Sequence, residues 1–413
     1  MSSIIFMQFF LTILAVIFLA AQALLAIYML TPFLSWLFYN IIRLLGIRRP
    51  FDRKKKLTDK DFEFGIIVTA HQETEFILPL VDSILKQTYG NFHIYVVADD
   101  CNTNGLNFND PRVHILKPEP ALHAKVKSID YARKNFIRLH DITLILDSDN
   151  LLHPQFLNTV NQHFQKGYRA VQADFKPKNT DTLYARMDAI GDMFNFFIDR
   201  EARMRMGLSS AIWGSGISFE SSLYDSISYK TLVGGFDKKL QATLVLNTKR
   251  IAFAPDAILY DEKISSGKTL ENQRARWIHS YFNYFKESGK IFMAGLKRFD
   301  INLLYFGFVL LRPPLFMVFF GSFMCMVINF FIWPVLGWIW IGIFFSFFLS
   351  FVLIVLMKGK DPKFLATLFA LPAFAFRQML SILKLKKASK SFLKTPHTKL
   401  LYIEDILEEK KQG

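Results

Sequence analysis

Two uncharged stretches constrain this chain more than anything else in it. Residues 4–30 contain no Asp, Glu, Lys or Arg, and neither do residues 315–357. A helix rises about 1.5 Å per residue, so either stretch can cross a hydrocarbon core of about 30 Å. The second is long enough for two helices, broken near Trp333-Pro334. Composition agrees, with 52% hydrophobic residues and 44 Phe among 413; that much Phe points to lipid-facing surface. A third apolar segment, 364–383, is interrupted by Pro372 and Arg377. Both a spanning and an interfacial placement are open for it.

No basic residue precedes the apolar part of the first stretch, and its small-residue run "AAQA" leads into more apolar sequence, so it is expected to stay as an anchor. A second patch, residues 32–47, follows. Then come Arg48, Arg49, Arg53, Lys54, Lys55 and Lys56, which place the polar middle of the chain on the cytoplasmic side. Lys358, Lys360 and Lys363, then Lys384, Lys386, Lys387 and Lys390, flank the last apolar segments and agree. The expected location is integral membrane, in a bacterial inner membrane or its equivalent. The net charge of +15 collects beside the spans, where anionic head groups lie, and nucleic acid is not expected as a partner. The two cysteines, Cys101 and Cys325, fall in a polar and an apolar region, which fits a reducing compartment.

Between residues 61 and 290 the pattern changes. Short apolar runs, "FGIIVT", "HIYVVAD", "VHILKP" and "ITLILD", alternate with helical periodicity at 76–86 and 122–136. This predicts an α/β fold, a doubly wound mixed sheet whose ligands bind beyond the carboxyl ends of its strands. The domain plan is a membrane anchor at 1–47, a basic linker at 48–60, a cytoplasmic domain at 61–290, transmembrane and interfacial helices at 291–383, and a basic tail at 384–413.

Three strand ends carry polar groups: "AHQETE", Asp99-Asp100 and Asp147-Ser148-Asp149. Asp147 and Asp149 lie one residue apart on extended chain and so point the same way. Held in a cleft, such a pair needs a cation, and Mg²⁺ or Mn²⁺ suits two oxygen ligands beside a phosphate. Turn chemistry alone also places Asp at strand ends. Lys125 stands near a helix start, where a cation opposes the dipole; an anionic ligand and plain solvation both account for it.

The ordered set "IIVTAHQE", "VVADD", "HAKVKSID", "LILDSDN", "WGSGISF", "GGFDKKL", "YDEK" and "QRARW", over residues 66–277 with apolar segments on both sides, resembles the membrane-embedded inverting glycosyltransferases of family 2. Cellulose, chitin and hyaluronan synthases are among them. The resemblance implies a sheet of the nucleotide-sugar-binding type and transfer from a nucleotide-sugar, with a UDP-sugar as the expected donor, to a growing polysaccharide or glycan. It places Glu73, Asp99, Asp100, Lys125, Asp147 and Arg276 on the donor, Asp147 and Asp149 on Mg or Mn, and Gly216, Gln273 and Trp277 at the acceptor. His71 and Gln72 depart from the family's Pro-Ala-Tyr-Asn-Glu loop. The family's Thr-Glu-Asp is also altered: Asp237 falls on the Asp and Phe236 replaces the Glu. Asp237 is then the general base, with the N-cap of a helix at 238–246 as its other reading. Expected partners are the donor, a glycan or lipid acceptor, the bilayer, and export or synthesis subunits. The alternatives are single-sugar transfer to a membrane lipid and an inactive scaffold subunit. Asp261 and Glu262 of "YDEK" fit a pocket wall or a solvated loop. "FLKTPHTK", with His397, fits a lid or a disordered basic tail.

Overall fold

The computed structural model describes residues 2–227, 229, 235–359, 361–371 and 398–412. Eight strands, β1 (Phe64–His71), β2 (Phe92–Asp99), β3 (Val113–Leu116), β4 (Ile142–Asp147), β5 (Leu151–Leu152), β6 (Ala170–Pro177), β7 (Ile217–Glu220) and β8 (Ala252–Asp261), form one sheet. Their order is β3-β2-β1-β4-β7-β6-β8-β5. The strands β3, β2, β1 and β4 are parallel, β7 runs antiparallel to β4 and β6, β8 is parallel to β6, and β5 is antiparallel to β8. The expected mixed α/β sheet is present.

The strands read as unbroken apolar runs because both faces are covered. Phe64, Ile66, Val68, Ile142, Leu144 and Leu146 pack on one side with Ile77 and Leu80 of helix Ile77–Leu85 and with Phe156 of helix Phe156–Gln165. Ile67 and Ile145 face the other side, with Val126 and Ile129 of helix Lys125–Lys134 and Leu240 and Leu244 of helix Phe236–Asn247. Each such side chain contributes about 1.5–3 kcal/mol on full burial.

Two helix starts differ from the sequence reading. The helix expected at 122–136 begins at Lys125, because the N–H groups of Leu122 and His123 are bonded to the Asp99 carboxylate instead of opening a turn. The helix expected at 238 begins at Phe236, capped by Gly235 in the left-handed conformation (φ 70°). Asp237 is therefore not an N-cap. It sits in the first turn, where a carboxylate still complements the dipole.

The patches at 4–30 and 32–47 are one helix, Ser2–Leu44, running through Pro32. At about 65 Å it outruns a bilayer core. With Leu315–Ile332 and Pro334–Lys358, split at Trp333 as expected, it makes three helices long and apolar enough to cross a membrane. Gln22 Oε1 accepts from Asn329 Nδ2 and, at 2.9 Å, from Trp340 Nε1, a polar link between apolar helices. Tyr39 donates to Glu201 at 2.8 Å, Lys358 pairs with Glu201 at 2.5 Å, and Arg312 pairs with Asp199 at 3.6 Å. These contacts fasten the apolar helices to the α/β domain.

Of the 364–383 segment only the part to 371 is described; Pro372, Arg377, the lysines from 384 to 390 and His397 lie outside the described residues. Residues 398–412 include helix Ile403–Gln412, whose Ile403 and Ile406 pack on Leu151 and Tyr260. This end of the tail is docked, and its helix carries Glu404, Asp405, Glu408 and Glu409 beside Lys410 and Lys411.

Candidate active site

Strand register sets the site. His71 lies beside Asp99, and Thr69 beside Asp147, so the ends of β1, β2 and β4 are neighbours. Asp147, its side chain 40% exposed, receives the Lys125 ammonium on Oδ1. Lys125 also donates to the Gly214 carbonyl at 2.8 Å and stands 4.8 Å from the Phe236 ring centroid. Arg276, on helix Gly267–Asn283, is held below its ordinary pKa by burial, a shift opposed by the charge of Asp147. Lys125 thus joins the end of β4 to the "WGSGISF" loop and to the start of helix Phe236–Asn247.

The loop after β4 is held from beneath. Asn150 Oδ1 accepts from the Asp147 N–H at 3.1 Å and from the Ser215 hydroxyl, while its Nδ2 donates to Asp261 at 3.3 Å. Asp149 is buried, and the buried Lys178 ammonium donates to its carbonyl. Burial lowers the Lys178 pKa, opposed by Asp149, Asp261 and Glu262. β4 ends at Asp147 and Asp149 lies in the turn that follows, so the two do not share extended chain as the spacing predicted; both still offer the hard carboxylate oxygens that Mg²⁺ or Mn²⁺ takes.

The two acids after β2 are divided. Asp99 is buried and accepts from the N–H groups of Leu122 at 2.6 Å and His123 at 2.8 Å, with His71 Nδ1 at 3.1 Å. Its carboxylate is committed to pinning the loop ahead of Lys125. Asp100 is exposed and takes a 2.6 Å hydrogen bond from Gln72 Nε2. Glu73 follows on the β1 loop, partly exposed. Gln72, Asp100 and His123 all adopt φ between 51° and 59°, a strained region that clusters at functional sites. Ligand atoms of His71, Asp100 and His123 lie within 4.8 Å of one another, a set that could also hold a metal.

On the other flank, Gln273 Oε1 is buried with no hydrogen-bond partner among the described residues. Buried acceptors are normally satisfied, so this one is open to a ligand hydroxyl. Trp277, 37% exposed, meets Trp213 edge-on at 5.2 Å and lies 4.0 Å under the Arg274 guanidinium, which in turn binds Asp188 at 2.8 Å. Asp237 is 22% exposed at its side chain, next in sequence to the Phe236 that meets Lys125. Gly216 is placed inside the sheet. Its N–H donates to Ile145 at 2.9 Å, its carbonyl accepts from Ala173 at 3.0 Å, and at φ 61° a Cβ would sit 3.1 Å from Leu259. The carbonyl of that loop that reaches Lys125 is Gly214.

Sequence reasoning missed a buried ionic cluster. Lys263 binds Asp192 at 2.5 Å and Asp261 at 2.8 Å; burial alone would lower its pKa, but Asp192, Asp261 and Asp188 outweigh it and raise it. Asp188 has its pKa raised by burial despite Arg274. The available signal was Asp188 and Asp192 four residues apart on a largely apolar helix. Asp261 and Glu262 are not a solvated loop. Asp261 joins this cluster, and Glu262 accepts from the N–H groups of Thr398 at 2.9 Å and Lys399 at 3.2 Å.

The family described as glycosyltransferase like family 2 matches residues 62–280, more than half of the chain. The chain belongs to that family. No curated protein matches it. Among solved structures, this family 2 chain is similar to the mannosyltransferase PcManGT from Pyrobaculum calidifontis in complex with GDP-Man and Mn²⁺, with TM-score 0.53 and 13% identity over 90% of this chain and 99% of that one. The S. aureus protein TarS, residues 1–349 in complex with UDP-GlcNAc, shows TM-score 0.41 and 14% identity over 79% of this chain and 91% of its own. At such identity the first likeness establishes the fold.

Proposed function

We propose that this family 2 glycosyltransferase is a membrane-anchored inverting enzyme that moves a sugar from a nucleotide-sugar, foremost a UDP-sugar, to a growing glycan at the cytoplasmic face. The observation that carries the reading is Lys125, which pairs with Asp147 and reaches both Gly214 and the Phe236 ring at the helix start bearing Asp237. Asp147 and Asp149 would hold Mg²⁺ or Mn²⁺, which would neutralise the donor diphosphate. Arg276 offers a planar fork and Lys125 a point charge to the diphosphate oxygens, stabilising the negative charge that grows as the bond from C1 to the nucleotide breaks. Asp237 takes the proton from the acceptor hydroxyl while that oxygen attacks C1 from the opposite face, which inverts the centre. Trp277 presents a stacking face to the acceptor sugar and Gln273 Oε1 an acceptor for its hydroxyl. Glu73 and Asp100 line the nucleoside end, and Asp99 positions the loop beneath it.

The domain plan extends the same reading, with residues 61–290 catalytic and cytoplasmic and the apolar helices on either side in the bilayer. Support comes from the basic residues after Leu44 and from the links of Tyr39 and Lys358 to Glu201. The donors bound in PcManGT and TarS, GDP-Man and UDP-GlcNAc, make both nucleotides part of the test.

That test is nucleotide release by the detergent-solubilised full chain across UDP- and GDP-sugars with Mg²⁺ or Mn²⁺, with chain length read on a gel. One donor should give release that chelation abolishes, that Asp149→Ala abolishes, and that Asp237→Ala lowers by about 10²–10⁴-fold. Binding without release from any donor, with lipid and glycan acceptors supplied, would favour the inactive scaffold. A single-sugar lipid product would replace the polysaccharide acceptor.

A further inference from the structure

The sheet edge opposite the active site carries a second polar feature that the transfer chemistry does not use. Running antiparallel to both β4 and β6, β7 sets those two strands in the same direction, so the start of β6 lies at the end of the sheet away from Asp147. The segments leading into β6 and β8 meet residues 50–54 there around a cavity of about 350 Å³. Arg53, Lys54, Arg169, Lys249 and Arg250 line it, and no acidic residue does.

Little within the chain balances these charges. Arg169 is bonded to Glu220 at 2.6 Å. Arg250 donates to the carbonyls of Gly207 and Lys249, each at 2.6 Å, and Lys54 to the carbonyl of Lys166 at 3.2 Å while standing 4.0 Å over the Tyr168 ring. Among the described residues neither Arg53 nor Lys249 has an ion pair. Burial and the charge of Lys249 both lower the Lys54 pKa. Five cations around one hollow repel one another unless an anion enters it.

The chain that leads into the cavity-lining residues is apolar and exposed. At the end of the Ser2–Leu44 helix and just before Pro50, Leu44, Leu45 and Ile47 are 86%, 69% and 40% exposed. Arg43, Arg48 and Arg49 are interleaved with them. Exposed leucines among arginines suit a segment lying at the bilayer surface, with apolar groups toward acyl chains and cations toward phosphates.

We propose that this cavity binds a phosphate-bearing anion, supplied in the membrane by the head group of an anionic phospholipid. The inference rests on the membrane-anchored reading above. It gives the basic segment 48–56 a defined partner surface at the starts of β6 and β8, where a bound phosphate would tie the linker to the catalytic domain.

The test uses the full chain in neutral detergent and the double variant Arg53→Glu/Lys249→Glu, both exposed positions remote from the transfer site. Binding is measured calorimetrically with dihexanoyl phosphatidylglycerol, dihexanoyl phosphatidylcholine and inorganic phosphate. The anionic lipid should bind at least tenfold more tightly than the zwitterionic one, and the double variant should lose at least tenfold while retaining donor-dependent nucleotide release. Phosphate binding as tight as the anionic lipid, and lost in the variant, would keep the anion site but assign it to a soluble phosphate. Equal binding of both lipids, or no loss in the variant, overturns the proposal. Extraction of the protein from membranes by alkaline carbonate would instead refute the anchored reading.

Discussion

Lys263 is the residue whose removal tests the architecture of the site most directly. Its ammonium, 2% exposed at the side chain, lies between Asp192 and Asp261 at 2.5 and 2.8 Å. Asp261 also receives Asn150, and Asn150 Oδ1 receives the Asp147 N–H. Lys263→Met keeps the length of the side chain and removes the charge, leaving two carboxylates without their shared cation. Breaking a buried pair from one side costs about 3–5 kcal/mol. For a domain of this size each kcal/mol shifts the melting temperature by about 2–4 °C, so a fall on the order of 10 °C is expected. Thermal unfolding of the solubilised full chain, followed by tryptophan fluorescence, reads it. Adding Asp192→Asn and Asp261→Asn should restore most of the loss. A melting shift below about 2 °C, or no recovery when the two carboxylates are also removed, would refute the claim that this cluster holds the loop.

Gly235→Ala should lower both stability and turnover, because the φ of 70° and a Cβ 2.5 Å from Tyr284 strain the helix start that bears Asp237. The conformational part alone is about 1–2 kcal/mol, and the check is melting temperature beside nucleotide release. Gly295→Ala and Gly307→Ala should each cost more than about 2 kcal/mol, since a Cβ at either would run into the backbone of Leu304 or Phe292 across the Phe285–Arg298 and Ile301–Leu310 pair. Circular dichroism melts of both variants read this. His163 is buried, and burial pushes its pKa down to about 4, so its contribution is complete above the unfolded value near 6.5 and is lost as pH falls toward 4. About 2 kcal/mol should be gone by pH 5, and His163→Phe should reduce the melting difference between pH 7 and pH 5.

Much of the fold was legible because its signals are local. Phe64, Ile66 and Ile67 sit in a strand buried on both faces, and such a strand must be apolar throughout, so β1, β2 and β4 could be read directly. Trp333-Pro334 marked the break between two apolar helices for an equally local reason, since proline cannot continue a helix from the preceding turn. By contrast, β5 has two residues and exists only through its pairing with Leu259 and Tyr260 of β8. The start of helix Lys125–Lys134 was misjudged because Asp99, over 20 residues earlier in the chain, claims the N–H groups of Leu122 and His123.

The sequence by itself determined the apolar helices, the alternation of strand and helix, the family's ordered motifs, and the pair of carboxylates at the end of β4. Hydropathy and spacing suffice there, because each depends on neighbours within a few residues. Tertiary structure alone decided which charged groups stay exposed and which are bound by the protein itself. Asp99 is tied to a backbone loop while Asp100 is exposed, Asp261 is locked to Lys263 and Asn150, and Arg274 supports Trp277 while Lys125 is drawn onto Asp147. In each case an ionic group is defined by a partner brought close through folding, and a charge in the sequence carries no record of what will stand beside it.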